Sequence, residues 1–226
     1  MAEGITEAIN TATDVIPYML SILPDAILPA SGVYALFTLS SAFGTFFASL
    51  IEARIILLGI HIFAHHYLPG MDFDRYRPAV DRNSFCTNKI TRTIGNDDIM
   101  EGPAGHKYVF PSTPMYMLSV ASAYVFNTLS NQSKELEALG PAFSTRYYVS
   151  ITFLLGLVSL VGSFRFMYGC EEYYNIIGSS ILGLIIGTLL VMQNKRLFGD
   201  SSINLLGIPY LRNRSAGGKK MYVCPK

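Results

Sequence analysis

Three observations predict an all-α membrane protein, a polytopic bundle of five or six transmembrane helices. Half of the 226 residues are hydrophobic and only 15% are charged, where a soluble domain carries about 25%. Mean hydropathy is +0.35. The charges are also gathered into islands: none lies between Asp25 and Glu52, Lys107 and Lys134, Arg146 and Arg165, or Glu172 and Lys195. Each gap is near or above the ~17–25 residues that a helix needs to cross a hydrocarbon core of ~30 Å. This pattern excludes a disordered chain, a secreted disulfide scaffold and an ordinary cytosolic enzyme.

The elements divide the chain into an N-terminal apolar or interfacial segment (1–30), a transmembrane bundle (31–194) and a basic polar tail (195–226). Residues 8–30 are apolar but carry Asp14, Pro17, Pro24, Asp25 and Pro29. They read either as a weak first span or as a broken helix lying in the interface. Residues 31–51 form the next span and 52–69 continue it past Glu52 and Arg54. A tight turn there and one long helix both fit. Residues 70–108 are the long polar loop, dense in both acidic and basic side chains, and loops of this kind are usually functional or flexible. Three further spans follow at about 112–131, 147–164 and 174–194.

Orientation follows from basic residues. Lys195, Arg196, Arg212, Arg214, Lys219, Lys220 and Lys226 crowd the tail, whereas the first 50 residues have neither Lys nor Arg. The positive-inside rule places such a tail on the cytoplasmic or matrix side. Counting back three spans puts loops 165–173 and 70–108 together on the opposite face. An N-terminus without basic residues lacks the pattern of a cleavable signal or transit peptide. Cys86, Cys170 and Cys224 form no close pair, so they indicate neither a zinc site nor a disulfide framework, and a single bridge stays open. A formal net charge of +1 argues against nucleic acid as a partner.

Within the spans, Ser40, Gly44 and Ala48, and likewise Ser179, Gly183 and Gly187, recur at helix-packing spacing and are expected to face other helices. Tyr116, Tyr147, Tyr148, Tyr173 and Tyr174 lie near span ends, as an interfacial aromatic belt would. His61 and His65 share a helical face, as two metal or haem ligands would. With no third ligand at useful spacing, a hydrogen-bonded packing role is the better reading, and no cofactor is expected.

The polar residues at span ends carry the functional signal. Arg77–Pro78 precedes a span, Phe110-Pro111-Ser112-Thr113-Pro114 opens it, and Ser163-Phe164-Arg165 with Glu171 and Asn175 joins the last two. In this order and spacing the chain resembles the type 2 phosphatidic acid phosphatase and haloperoxidase (PAP2) superfamily over residues 50–194. That superfamily carries K-x6-R-P, then P-S-G-H, then S-R-x5-H-x3-D. The resemblance implies a PAP2-like bundle topology and a phosphate-binding shell of Arg77, Ser112 and Arg165. It also implies that catalysis is lost. The first-motif lysine falls on Gly70, the second-motif histidine on Pro114, the nucleophilic histidine on Glu171 and its orienting aspartate on Asn175.

Proline, glutamate and asparagine cannot share the acid, nucleophile and tautomer-fixing roles that imidazoles and a carboxylate fill in that chemistry. The expectation is therefore a non-catalytic membrane protein whose arginines hold a lipid phosphate headgroup, as in an anionic phospholipid. Glu171 would repel a dianion there. One alternative is a structural or assembly subunit that contacts other subunits of a membrane complex. A second is an active lipid phosphatase with rearranged catalytic residues, in which Pro103-Ala104-Gly105-His106 supplies His106 as acid or nucleophile.

Overall fold

A computed structural model of the chain describes residues 2–67, 110–133, 141–205, 210–212 and 221–223. Five long helices dominate them: α1 (Ala2–Thr38), α2 (Ser41–Tyr67), α3 (Thr113–Asn131), α4 (Pro141–Met167) and α5 (Tyr173–Phe198). A 3₁₀ turn, Asp200–Ile203, follows α5, and Tyr210–Arg212 pairs antiparallel with Met221–Val223 in the tail. The described chain is a helical bundle. Four of its helices are long and apolar enough to cross a membrane, over Val15–Thr38, Ser41–Phe63, Tyr147–Met167 and Tyr173–Phe198.

The first two helices depart from the expected boundaries. Residues 8–30 are neither broken nor separate, because α1 runs unbroken to Thr38 with Pro17, Pro24 and Pro29 inside it. Interior prolines are tolerated in membrane helices, where neighbouring groups satisfy the freed backbone. The hydroxyls of Ser21 and Ser31 donate to Tyr18 O and Leu28 O, 2.8 Å each. The chain reverses at Leu39, whose φ is +49°, and not at Glu52–Arg54, which lie inside α2. The expected span 31–51 is thus divided between two helices.

α1 and α2 form an antiparallel hairpin. Tyr34 and Phe43 stack edge-on at 4.4 Å, and a Cβ on Gly32 would lie 2.8 Å from the Phe47 ring. α2 turns Ala42, Phe46, Leu50, Ala53, Leu57 and His61 inward, at steps of three or four residues. The expected ridge of Ser40, Gly44 and Ala48 is not the packing face: Ser40 precedes the helix, Ala48 is exposed, and nothing lies within 4 Å of a Cβ on Gly44.

α3 is the central helix. All its residues from Pro114 to Tyr124 are buried, enclosed by α1, α2, α4 and α5. Tyr116, expected in the aromatic belt, is instead fully buried and donates its hydroxyl to Ala53 O at 3.1 Å. Tyr148, Tyr173 and Tyr174 are exposed. The outer helices carry exposed Ile62, Phe63, Phe153, Leu155, Phe166, Ile181 and Leu189, the surface that hydrocarbon solvates.

The second predicted ridge does pack. A Cβ on Gly183 would fall 2.5 Å from Tyr116 O, and one on Gly187 2.6 Å from Val120 O. Glycine at these positions lets the α3 and α5 backbones touch. At the far end of this seam Asn194 donates to Ser49 Oγ (2.7 Å) and Tyr124 OH (2.8 Å). Gly199, with φ +79°, turns the chain back so that Ile203 is buried against Phe46, Leu50 and Tyr124. Thr45 Oγ1 donates to Ser202 O at 2.5 Å. Replacing Asn194 by alanine removes two interhelical hydrogen bonds and is expected to cost about 1–2 kcal/mol. Thermal unfolding in detergent micelles measures it, and an unchanged midpoint would show the polar cap to be dispensable.

Candidate functional site

Ser112 caps α3 with extended backbone (φ −60°, ψ 118°), and its Oγ accepts from Met115 N at 3.4 Å. Pro114 sits in the first turn of the helix, where a missing N–H leaves no bond unmade. Its ring thus serves helix initiation. The Phe110–Pro111 peptide is cis. His61, near the C-terminal end of α2, shares a hydrogen bond with Pro111 O through Nε2, 3.0 Å.

The turn between α4 and α5 delivers the remaining groups. Gly169 takes φ +66°, a backbone state that favours glycine at a helix C-terminus, and Cys170 N donates to Arg165 O at 2.8 Å. This reversal returns Glu171 onto Arg165. Arg165 Nε and Nη2 both donate to Glu171 Oε1, at 2.9 and 2.6 Å. Ser112 Oγ donates to the same oxygen at 2.6 Å. Ser112 N donates to Asn175 Oδ1 (3.1 Å) and Ser179 Oγ (2.6 Å), and Ser179 Oγ donates to Asn175 Oδ1 at 3.0 Å.

Ser112, Arg165, Glu171 and Asn175 therefore meet, although Ser112 and Arg165 belong to different helices far apart in sequence. What they build is a closed cluster. The side chains of Arg165 and Glu171 are only 5% and 9% exposed. The Glu171 carboxylate occupies the centre on which the arginine and serine donors converge. Glu171 Oε2 is buried and has no hydrogen-bond partner among the described residues.

Two charged residues that sequence reasoning passed over lie beside this cluster. Asp25 of α1 is within electrostatic reach of both Arg54 and Arg165. The hairpin register accounts for this. From the Gly32–Phe47 contact, seven residues (about two helical turns) back along α1 lead to Asp25, and seven forward along α2 lead to Arg54. Ionisable residues inside apolar spans are rare, and each is a pointer to function. That signal was present at Asp25, which reads in the linear sequence as a mere interruption.

Arg77, Gly70 and His106 lie outside the described residues, as do Cys86 and Cys224, and so does the side chain of His65. Among the described residues no three His, Cys, Asp or Glu side chains gather to hold a metal ion. Cys170 is disulfide-bonded, so the bridge that the sparse cysteines left open does form. No protein family, curated protein or solved structure matches the chain.

Proposed function

We propose that the chain is a non-catalytic, PAP2-like integral membrane protein whose phosphate-binding centre has been filled by its own Glu171. The observation that carries this reading is the convergence of Ser112 with Arg165, Glu171 and Asn175. These four are the positions at which the second and third motifs of the phosphatase superfamily would meet. Each departure from those motifs has a physical consequence in the cluster. A carboxylate in place of the attacking imidazole neutralises Arg165, and a buried amide at position 175 accepts from Ser112 N where the family's aspartate would orient a histidine. A lipid phosphate would bind only by displacing Glu171 from Arg165 and Ser112.

The same ion pair and hydrogen bonds favour the second reading, a structural or assembly subunit of a membrane complex, in which the cluster locks the ends of α3, α4 and α5. The disulfide at Cys170 agrees with this end of the bundle facing an oxidising compartment, and the basic tail with the opposite, cytoplasmic or matrix side.

The purified protein, incubated in mixed micelles with a lipid phosphate, is expected to release no inorganic phosphate above a micelle blank. Release that disappears in Arg165→Ala would overturn the non-catalytic reading. Release that disappears in His106→Ala would establish the rearranged phosphatase instead.

A further inference from the structure

We infer that the outward face of α4 is a dimer seam, against which a second copy of this chain packs its own α4 in parallel. Val149, Thr152, Gly156, Ser159 and Ser163 recur at alternating steps of three and four residues, and all five are exposed. That alternation is the 3.5-residue period that keeps one stripe facing a neighbour as two parallel helices wind around each other. The stripe runs for about 21 Å along α4, most of the depth of a hydrocarbon core. It points directly away from the bundle. Val161, buried with Met115 and Leu118, lies about two and a half turns from Thr152 and so on the opposite side of the helix.

The hydroxyls of the stripe supply a second, chemical reason for a partner. In hydrocarbon a hydroxyl without a hydrogen bond is costly. Elsewhere in the bundle Ser49, Ser180 and Thr188 meet that demand by donating to the carbonyl four residues back. Thr152, Ser159 and Ser163 make no hydrogen bond among the described residues, and lipid tails offer them none. Gly156 is equally unaccounted for within one chain. Nothing lies within 4 Å of a Cβ there, whereas one on Gly162 would lie 3.2 Å from Ile176 Cγ2. A glycine on a lipid-facing surface weakens its helix without a contact in return.

The same chemistry selects the occupant. A hydroxyl both donates and accepts, so a stripe of hydroxyls is complementary to an identical stripe. A two-fold axis along the membrane normal makes the two α4 helices parallel and sets each residue of the stripe against its own counterpart. Paired serines and threonines then satisfy one another, and Gly156 lets the two backbones approach. No charge opposes the contact, because none lies between Arg146 and Arg165. Gly44 and Ala48 on α2 carry no polar group, so their open ridge makes no comparable demand. The inference does not rest on the phosphatase resemblance.

The test is oxidative cross-linking of the full-length protein in phosphatidylcholine vesicles, with single cysteines introduced along α4 and the unsubstituted chain as background. Thr152→Cys, Gly156→Cys and Ser159→Cys are expected to give a covalent dimer. Phe153→Cys, exposed but off the stripe, is expected to give at least about fivefold less, because a disulfide needs closely apposed Cβ atoms. Subunit counting by single-molecule photobleaching then follows dissociation as the protein is diluted in lipid. Gly156→Leu is expected to weaken the dimer about tenfold or more, and Gly44→Leu to leave it unchanged.

Equal cross-linking at positions 153 and 159 overturns the proposal, as does a wild-type chain that is monomeric at every dilution. So does a dimer that Gly44→Leu breaks and Gly156→Leu spares, which would move the interface to α2. The cross-linking pattern decides the matter even if a leucine variant does not fold. Neither measurement reads phosphate release, so failure here is separable from failure of the non-catalytic reading.

Discussion

Replacing Glu171 by alanine is expected to destabilise the protein by about 3–5 kcal/mol, because it leaves the Arg165 guanidinium buried without its counter-charge. The expected size follows from the contacts: two hydrogen bonds from Arg165 and one from Ser112 end on a single Glu171 oxygen. Thermal unfolding in detergent micelles reads the loss. The double variant Arg165→Met with Glu171→Leu removes both charges and is expected to recover most of it, since an apolar pair of similar volume avoids the desolvation cost. A single variant that melts with the wild type would mean that water reaches Arg165 and that the cluster is not a lock. Arg165→Lys is expected to fall between the two, because an ammonium lacks the fork that reaches Oε1 from two nitrogens.

Gly183→Leu carries the other large effect. A Cβ there would lie 2.5 Å from Tyr116 O and 2.8 Å from Ser119 Cβ, so the obstacle is backbone and cannot rotate away. Even alanine is expected to cost about 1–3 kcal/mol as overpacking, and leucine to separate α3 from α5 and abolish folding, seen as aggregation on size exclusion. Gly44→Ala is the matched control, because nothing lies within 4 Å of a Cβ at that position. It is expected to stay within about 0.5 kcal/mol of the wild type. If both alanine variants behave alike, the seam is not set by close backbone approach.

The two glycine ridges show how far small-residue spacing can be read. Ser179, Gly183 and Gly187 and Ser40, Gly44 and Ala48 have the same four-residue period, yet only the first meets a partner. The period establishes that a close approach is possible along a stripe. Whether one occurs depends on the helix opposite, and α2 turns a different stripe inward. Tyr116 teaches the same lesson, since a tyrosine near a span end suits an interface until an acceptor such as Ala53 O lies within reach inside.

Helix ends were legible only where local chemistry marks them. Ser112 followed by Pro114 signals the start of α3, whereas the last two spans, read as 147–164 and 174–194, run on to Met167 and Phe198 before the turns at Gly169 and Gly199. The reversal at Leu39 carries no glycine or proline, so the boundary between α1 and α2 was displaced. The prolines of α1 pointed to a break that the membrane setting does not require.

For the site, the resemblance to the phosphatase motifs already nominated Ser112, Arg165, Glu171 and Asn175. They could not show that Arg165 and Ser112 both donate to Glu171, because that depends on the left-handed turn at Gly169 bringing the carboxylate back onto Arg165.

The scarcity and spacing of charge determined from the first that this chain is a membrane bundle and where its later helices lie. That inference needs only the length of an apolar run and the thickness of hydrocarbon. The pairing of the remaining charges was decided by the tertiary structure alone. Asp25 comes within electrostatic reach of Arg54 through the register of an antiparallel hairpin, and Arg165 finds Glu171 through one turn beneath the end of α3. The physical reason is that lipid solvates an apolar helix on every side, so its sequence carries no clear stripe to say which face turns inward. Only the neighbouring helix, by contact and by unmet charge, supplies that information.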